Sequence, residues 1–183
     1  MPKLLHRWFG PIAAATVLTT VVMAGCDPSG DAPREVGTPD ATLRTHAVEP
    51  STPTPEGLVY LRSLADLHAD ADANTGEVRR KILRRGLSLP VPAGLAEAEI
   101  MRLDLAARLG EELLADPHGA RAARELLQPM LTVERSLPLD RATARALVVL
   151  GDAAVKTGDD ALAAGSYARS IEMMSLLRQE LEP

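Results

Sequence analysis

The chain has little of what holds many small proteins together. Its 183 residues include one cysteine, one tryptophan, one phenylalanine and two tyrosines, and aromatics make up only 2% of it. A single cysteine excludes an intrachain disulfide framework. Trp8 and Phe9 both lie near the start, so the rest of the chain has Tyr60 and Tyr167 as its only aromatics. Any downstream core must be built from Leu, Ala, Val, Ile and Met, which favours close-packed helices over a β-sandwich. Histidine is also sparse. His68 has no second His or Cys near enough to complete a metal cluster by spacing. Ser136, Ser166, Ser170 and Ser175 lack a nucleophile-elbow context, and His46, His68 and His118 show no base-and-nucleophile setting. No phosphate-binding loop is present. These absences argue against an enzyme and imply no cofactor. Positive charge is in deficit, with 20 Lys and Arg against 25 Asp and Glu. A net charge of −5 makes nucleic acid a poor partner, because binding there rests on neutralising phosphates.

What is present begins with an address-like N-terminus. Lys3, His6 and Arg7 precede an apolar stretch from Trp8 to Met23, broken only by Thr16, Thr19 and Thr20. The small residues Ala24 and Gly25 then lead to Cys26. Positive, apolar and small-residue regions in that order make a signal-peptide pattern over residues 1–25. The apolar core is about 16 residues, short of the roughly 20 that span a bilayer. Met23-Ala24-Gly25-Cys26 resembles the bacterial lipobox. That resemblance implies a diacylglycerol on Cys26, cleavage before it, and a cell-envelope protein facing the periplasm or the exterior. Met23 stands where Leu dominates in that family. Asp27 resembles the acid that keeps enteric lipoproteins in the inner membrane, a rule that varies between bacterial groups. Loss of Lys3 and Arg7 would take the formal charge from −5 to about −7. Two or three acyl chains at about 0.8 kcal/mol per buried CH₂ hold a protein stably on a membrane. An uncleaved membrane anchor with an incidental cysteine is the alternative.

Residues 26–56 read as a tether. Pro28, Pro33, Pro39, Pro50, Pro53 and Pro55 break helices and ladders, and clustered apolar residues are scarce. Such a segment buries too little to offset its ordering entropy, so disorder is expected. It would hold the following domain roughly 30 Å from the membrane on average.

Residues 57–183 read as all-α. A first helix from Gly57 to about Asp70 is predicted on Leu58, Leu61, Leu64 and His68. A short basic helix follows from Glu77 to about Arg85, ending at Gly86. Leu87–Gly94, with Pro90 and Pro92, is a connection. About Leu95 to Ala115 is the clearest helix, with Ala98, Met101, Leu105, Leu109 and Leu113 on one face. Asp116-Pro117-His118-Gly119 stops it. A partner helix runs from about Ala120 to Leu131, kinked or ended by Pro129. Ser136–Pro138 is a joint. Asp140 caps a helix to about Lys156. Thr157-Gly158 turns the chain, and Asp159 or Asp160 caps a last helix to about Glu180.

Leu147, Leu150, Gly151, Ala154, Gly158, Ala163, Tyr167 and Ser170 fall at the spacing of the tetratricopeptide (TPR) repeat, and about Thr143 to Leu176 resembles one such repeat. In that family small residues let two antiparallel helices approach and large ones fill the groove. Leu147 stands where the family has Trp, and Ala154 where it often has Tyr. A fainter copy lies upstream at Leu109, Gly110, Leu113, Ala122 and Leu126, offset by 41 residues rather than the family's 34. Pro129 falls there where a small residue is expected, and Pro117 replaces the turn glycine. The resemblance implies a TPR-like stack acting as a non-enzymatic scaffold for a protein or peptide partner; a compact helical bundle is the other architecture the pattern allows. Stacking needs about three repeats for stability, so a short domain closes on itself or gains a partner.

A second function class rests on Asp70, Asp72 and Asn74. Oxygen ligands at alternating positions suit Ca²⁺, which would make the chain a periplasmic small-ligand or calcium-binding protein. The pattern departs from a calcium loop, since the twelfth position from Asp70 is Lys81 and not Glu. Arg79, Arg80, Lys81, Arg84 and Arg85 form a basic run, either a solvated helix face or a surface for anionic headgroups. Self-association through helix pairing is a third expectation.

Overall fold

The computed structural model describes residues 43–181. The signal-peptide segment, Cys26 and the tether as far as residue 42 lie outside the described residues. The described part is all-α in character. Helices α1 (Pro55–Asp72), α2 (Gly76–Ser88), α3 (Glu97–Leu114), α4 (Ala120–Leu127), α5 (Arg141–Lys156) and α6 (Asp160–Leu181) follow in order. Two-residue strands β1 (Thr45–His46) and β2 (Leu137–Pro138) pair in parallel.

Local chemistry sets the helix ends. The Thr54 hydroxyl accepts from the Gly57 amide at 3.1 Å, and Pro55 occupies the first turn, where its missing N–H costs nothing. Helix α1 therefore starts two residues before Gly57. Its buried face is Gly57, Tyr60, Leu64, Leu67 and Ala71, and the predicted stripe member Leu58 is 54% exposed. Asp140 accepts from the Ala142 amide at 2.7 Å and caps α5. Asp159, the nearer of the two candidates, accepts from the Leu162 amide at 3.0 Å and caps α6. Between them Gly158 adopts φ 74°, with its amide on Val155 O and the Asp159 amide on Ala154 O. This pair of bonds closes α5 in the left-handed turn that glycine favours.

Gly86 does not end α2, which continues to Ser88. A Cβ there would lie 2.9 Å from Leu105 Cδ1, so the glycine serves the approach of α2 to α3. Helix α4 ends at Leu127, and Gln128–Met130 continues as one 3₁₀ turn with Pro129 at its start.

Residues 43–54, which the composition assigns to the tether, are ordered against the helical domain. Leu43 is 8% exposed and joins the core beside Leu131 and Leu137. The Leu137 amide donates to Arg44 O and the Leu139 amide to His46 O, both at 2.9 Å. The Ser51 amide and hydroxyl donate to the Glu97 carboxylate at 2.8 and 2.9 Å. One buried leucine and these paired polar groups order residues 43–54 despite their prolines. Ser136–Pro138, expected as a plain joint, supplies the other strand.

Each helix packs on the next, and α3 also meets α1 and α5. Short connections join α1 to α2, α3 to α4 and α5 to α6, making three helical hairpins whose first helices form the row α1–α3–α5. Helix α3 is buried on several sides. Leu103, Ala106 and Ala107 face the core of α4, α5 and α6, while Leu105, Leu109 and Leu113 face that of α1 and α2. Both cores are Leu, Ala, Val and Met with one tyrosine, as the scarcity of aromatics requires. Among the described residues, no helix is long and apolar enough to cross a membrane.

Candidate interaction surface on the last helix pair

The α5–α6 contact is set by one glycine and one ring. A Cβ on Gly151 would lie 2.5 Å from Tyr167 Cε1, so only glycine admits the ring at that point. The Tyr167 hydroxyl donates to Asp152 Oδ1 at 2.6 Å, and this bond first, then burial, pushes its pKa up to about 12. About one turn further along α6, Ser170 donates to Ala144 O at 2.9 Å. These contacts fix the antiparallel register of the pair.

Leu147, Leu150, Gly151, Ala154 and Ala163 are all buried in this hairpin, Tyr167 is half-buried and Gly158 makes the turn. The structure thus brings the seven sequence-selected residues together. The upstream copy matches less well. Ala122 is exposed and Leu126 half-buried, whereas Ala123 and Leu127 are fully buried. Gly110 is still a close-contact glycine, its Cβ position 2.7 Å from Val149 Cγ1 and 3.0 Å from Leu127 Cδ1. The partner position in α4 is one residue later than the spacing implies, because Ala115–Gly119 is a longer connection than Thr157–Asp159.

Helix α5 is enclosed except for one stripe. Its exposed positions Arg141, Arg145, Val148, Asp152, Val155 and Lys156 recur at three and four and lie on one face. Arg145 spans to α3, with Glu111 at 2.7 and 2.5 Å and Asp104 at 3.2 Å. The Glu111 hydrogen bonds raise its pKa most. Asp152 is taken by Tyr167. Val148 and Val155 have no such engagement and are 40% and 54% exposed. On α6, Ile171 is 68% and Met174 48% exposed. A depression of about 520 Å³ lies there, lined by Arg141, Ser170, Ile171, Met174, Leu177 and Arg178. Among the described residues neither Arg141 nor Arg178 meets a carboxylate. The result is an apolar groove flanked by two guanidinium groups, suited to an apolar side-chain row followed by a carboxylate.

Below it, Arg169 is 4% exposed and donates to Leu131 O at 2.7 Å and Thr132 O at 3.2 Å. Burial lowers its pKa, and the two carbonyls tie the loop after α4 to α6. Nothing in the sequence marked this residue, since its partners lie nearly 40 positions away.

The other sequence-selected groups resolve differently. Asp70 and Asp72 sit in the last turn of α1, two residues and about 200° apart, so their side chains leave on opposite faces. Asn74 donates to Asp70 O at 2.7 Å, and Asp72 pairs with Arg108. The three are not convergent, and among the described residues no group of three or more His, Cys, Asp or Glu is placed to hold a metal ion. His68 instead accepts from Arg108 Nη1 through Nδ1 at 2.6 Å, with Asp104 3.6 Å away. Arg108 is 8% exposed. Desolvation lowers the His68 pKa first, Asp104 opposes that and Arg108 adds to it, which keeps the ring neutral and accepting. In the basic run, Arg79 pairs with Glu112, and Arg80 and Arg84 with Glu77. Three of its five cations are internally engaged, which fits a solvated helix face. No family model, curated protein or solved structure matches this chain.

Proposed function

We propose that this chain is a lipid-anchored cell-envelope protein whose TPR-like stack of three helical hairpins docks a peptide or helix of a partner protein in the α5–α6 groove. The anchor rests on Met23-Ala24-Gly25-Cys26 and the charged and apolar stretches before it. The scaffold reading rests on the close Gly151–Tyr167 contact and on the row of first helices. The observation that carries the docking assignment is the exposure of Ile171 and Met174 in a depression flanked by Arg141 and Arg178, with Val148 also exposed on α5. Apolar side chains of the partner would cover the three residues, and a carboxylate would meet the guanidinium pair. The module has no reaction of its own; its role is to hold a partner near a membrane.

Intact mass and membrane partition of the wild type beside Cys26→Ala test the anchor. The wild type is expected to begin at Cys26 with added acyl mass, and the variant to lose both. An uncleaved chain that still partitions to membrane would overturn the anchor and leave the docking face standing. Ile171→Asp with Met174→Asp tests the face. Partner binding is expected to fall at least tenfold with the melting temperature held, because both side chains already stand in water. Unchanged binding by the folded variant would overturn the docking assignment.

A further inference from the structure

The exposed face of the last helix pair has a polarity along its length. Because α5 and α6 run antiparallel, the start of α5 and the end of α6 come together, and Arg141 and Arg178 line the same depression. At the other end Tyr167 on α6 donates to Asp152 on α5 at 2.6 Å. Between these ends α6 exposes Ile171 and Met174. Tyr167, Ile171, Met174 and Arg178 recur at four, three and four, which makes one stripe along the helix. Glu172 and Glu180 lie about 100° and 180° round the helix from Ile171, off that stripe. The two other cations on the exposed side of α5 are turned to α3: Arg145 bonds Glu111 and Asp104, and Lys156 bonds Leu114 O. The face is therefore basic at one end, apolar in the middle and acidic at the other.

Such a face complements itself. The groove suits an apolar row followed by a carboxylate, and the chain carries that row in Met174, Ile171, the Tyr167 ring and Asp152. Arg141 to Asp152 on α5 and Tyr167 to Arg178 on α6 span eleven residues each, about 16 Å of helix. On α6 the midpoint of that span falls between Ile171 and Met174, the two exposed apolar residues. A two-fold contact requires this coincidence of charge midpoint and apolar centre, whereas a foreign partner requires neither. We infer that the occupant of the groove is the same face of a second copy of this chain, turned end for end about a two-fold axis. Ile171 and Met174 of the two copies pack together, and Arg141 and Arg178 of each meet Asp152 and the Tyr167 ring of the other. The inference rests on the docking assignment to this face and names its occupant; it does not rest on the anchor.

The test co-expresses two full chains with different tags, solubilises them in mild detergent, and reads recovery of one through the other. Wild-type chains should recover each other. Arg141→Glu combined with Arg178→Glu puts acid at both ends of the face, and Asp152→Lys puts base at both. Each variant should recover its own kind at least about tenfold less than the wild type does. Mixed together, the two should recover each other to within about threefold of the wild type, because opposite charges meet again at both ends. Misfolding cannot produce that rescue. Absence of a second copy in the wild type would overturn the inference, as would undiminished self-recovery of the Arg141→Glu, Arg178→Glu chain or failure of the mixture to restore it. A crosslink from position 171 to a protein of another mass, with no second copy recovered, would overturn the inference and leave the docking assignment standing. No crosslink at all from that position would overturn both.

Discussion

In the last helix pair, Gly151 lies against the face of Tyr167 and the two helices meet over Leu147, Leu150, Ala154 and Ala163. In the first pair, Leu64 and Ala71 share a core with Leu83, Leu67 lies against Gly86, and α1 is tied back to α3 through His68, Asp72 and Arg108. One hairpin is joined by close dry packing, the other is steadied by a polar tie to its neighbour. The difference decides how each responds to mutation and to pH. Dry close packing fails when volume is added, because interiors have no slack. A polar tie fails when one partner is removed or changes charge.

The comparison breaks hardest at Gly151. Gly151→Val should cost at least about 1–3 kcal/mol by driving methyl groups into the Tyr167 ring, read as a drop in melting temperature. Tyr167→Ala in the same chain should recover part of that loss, which a backbone effect of glycine would not allow. Gly165→Ala on the same helix pair is the control. Nothing lies within 4 Å of its Cβ position, so stability should rise by roughly half a kcal/mol or stay level. Equal losses at both glycines would show that the ring contact is not what distinguishes Gly151.

On the other side, Arg108→Met keeps most of the buried stem and removes the donors. The expected cost is about 1 kcal/mol, kept small because Asp72 is 67% exposed and can return to water. Denaturant unfolding would read it, and a loss above that of Gly151→Val would invert the comparison.

A finer distinction is pH. Burial holds the folded-state pKa of His68 below its ordinary value of 6.5. The unfolded chain therefore binds the proton more readily, and stability falls as pH drops through 6.5 towards the folded value. Protonation would also place a cation against Arg108, which the charges of Asp104 and Asp72 offset in part. The wild type should lose stability relative to His68→Asn on going from pH 7.5 to 5.5. A pH-independent difference would remove His68 from the tie.

The smallest effect is expected at Glu97. Its pKa is lowered first by a hydrogen bond from its own amide and then by those from Ser51, so the stabilising charge is present above 4.5 and lost as pH falls through the folded value. Glu97→Gln should speed hydrogen exchange at the Ser51 amide while leaving α5 and α6 unchanged.

The same contrast explains what was legible in the sequence. Contacts inside one hairpin leave a local spacing, so Gly151, Ala163 and Tyr167 could be chosen by their offsets. The apolar period also placed α3, α5 and α6 to within a few residues. Long-range polar contacts leave none. His68 and Arg108 are 40 residues apart, and Arg169 meets carbonyls 37 and 38 residues away. Asp72 looked like a calcium ligand because alternation along the chain was read as convergence in space, which a helix does not permit. Residues 43–54 looked like tether because proline content conceals a single buried leucine and a two-residue strand pair. The one-residue shift in α4 follows from a loop length, which periodicity alone does not register.

Site-specific photocrosslinking in cells tests the central claim most directly. A photoreactive residue would replace Val148, Ile171 or, as a control on α2, the 56% exposed Val78. The account predicts one crosslinked protein of the same mass from positions 148 and 171, none from 78, and its loss when Arg141→Glu and Arg178→Glu are combined. Products shared by all three positions, or none from 148 and 171, would contradict a docking face on the last helix pair.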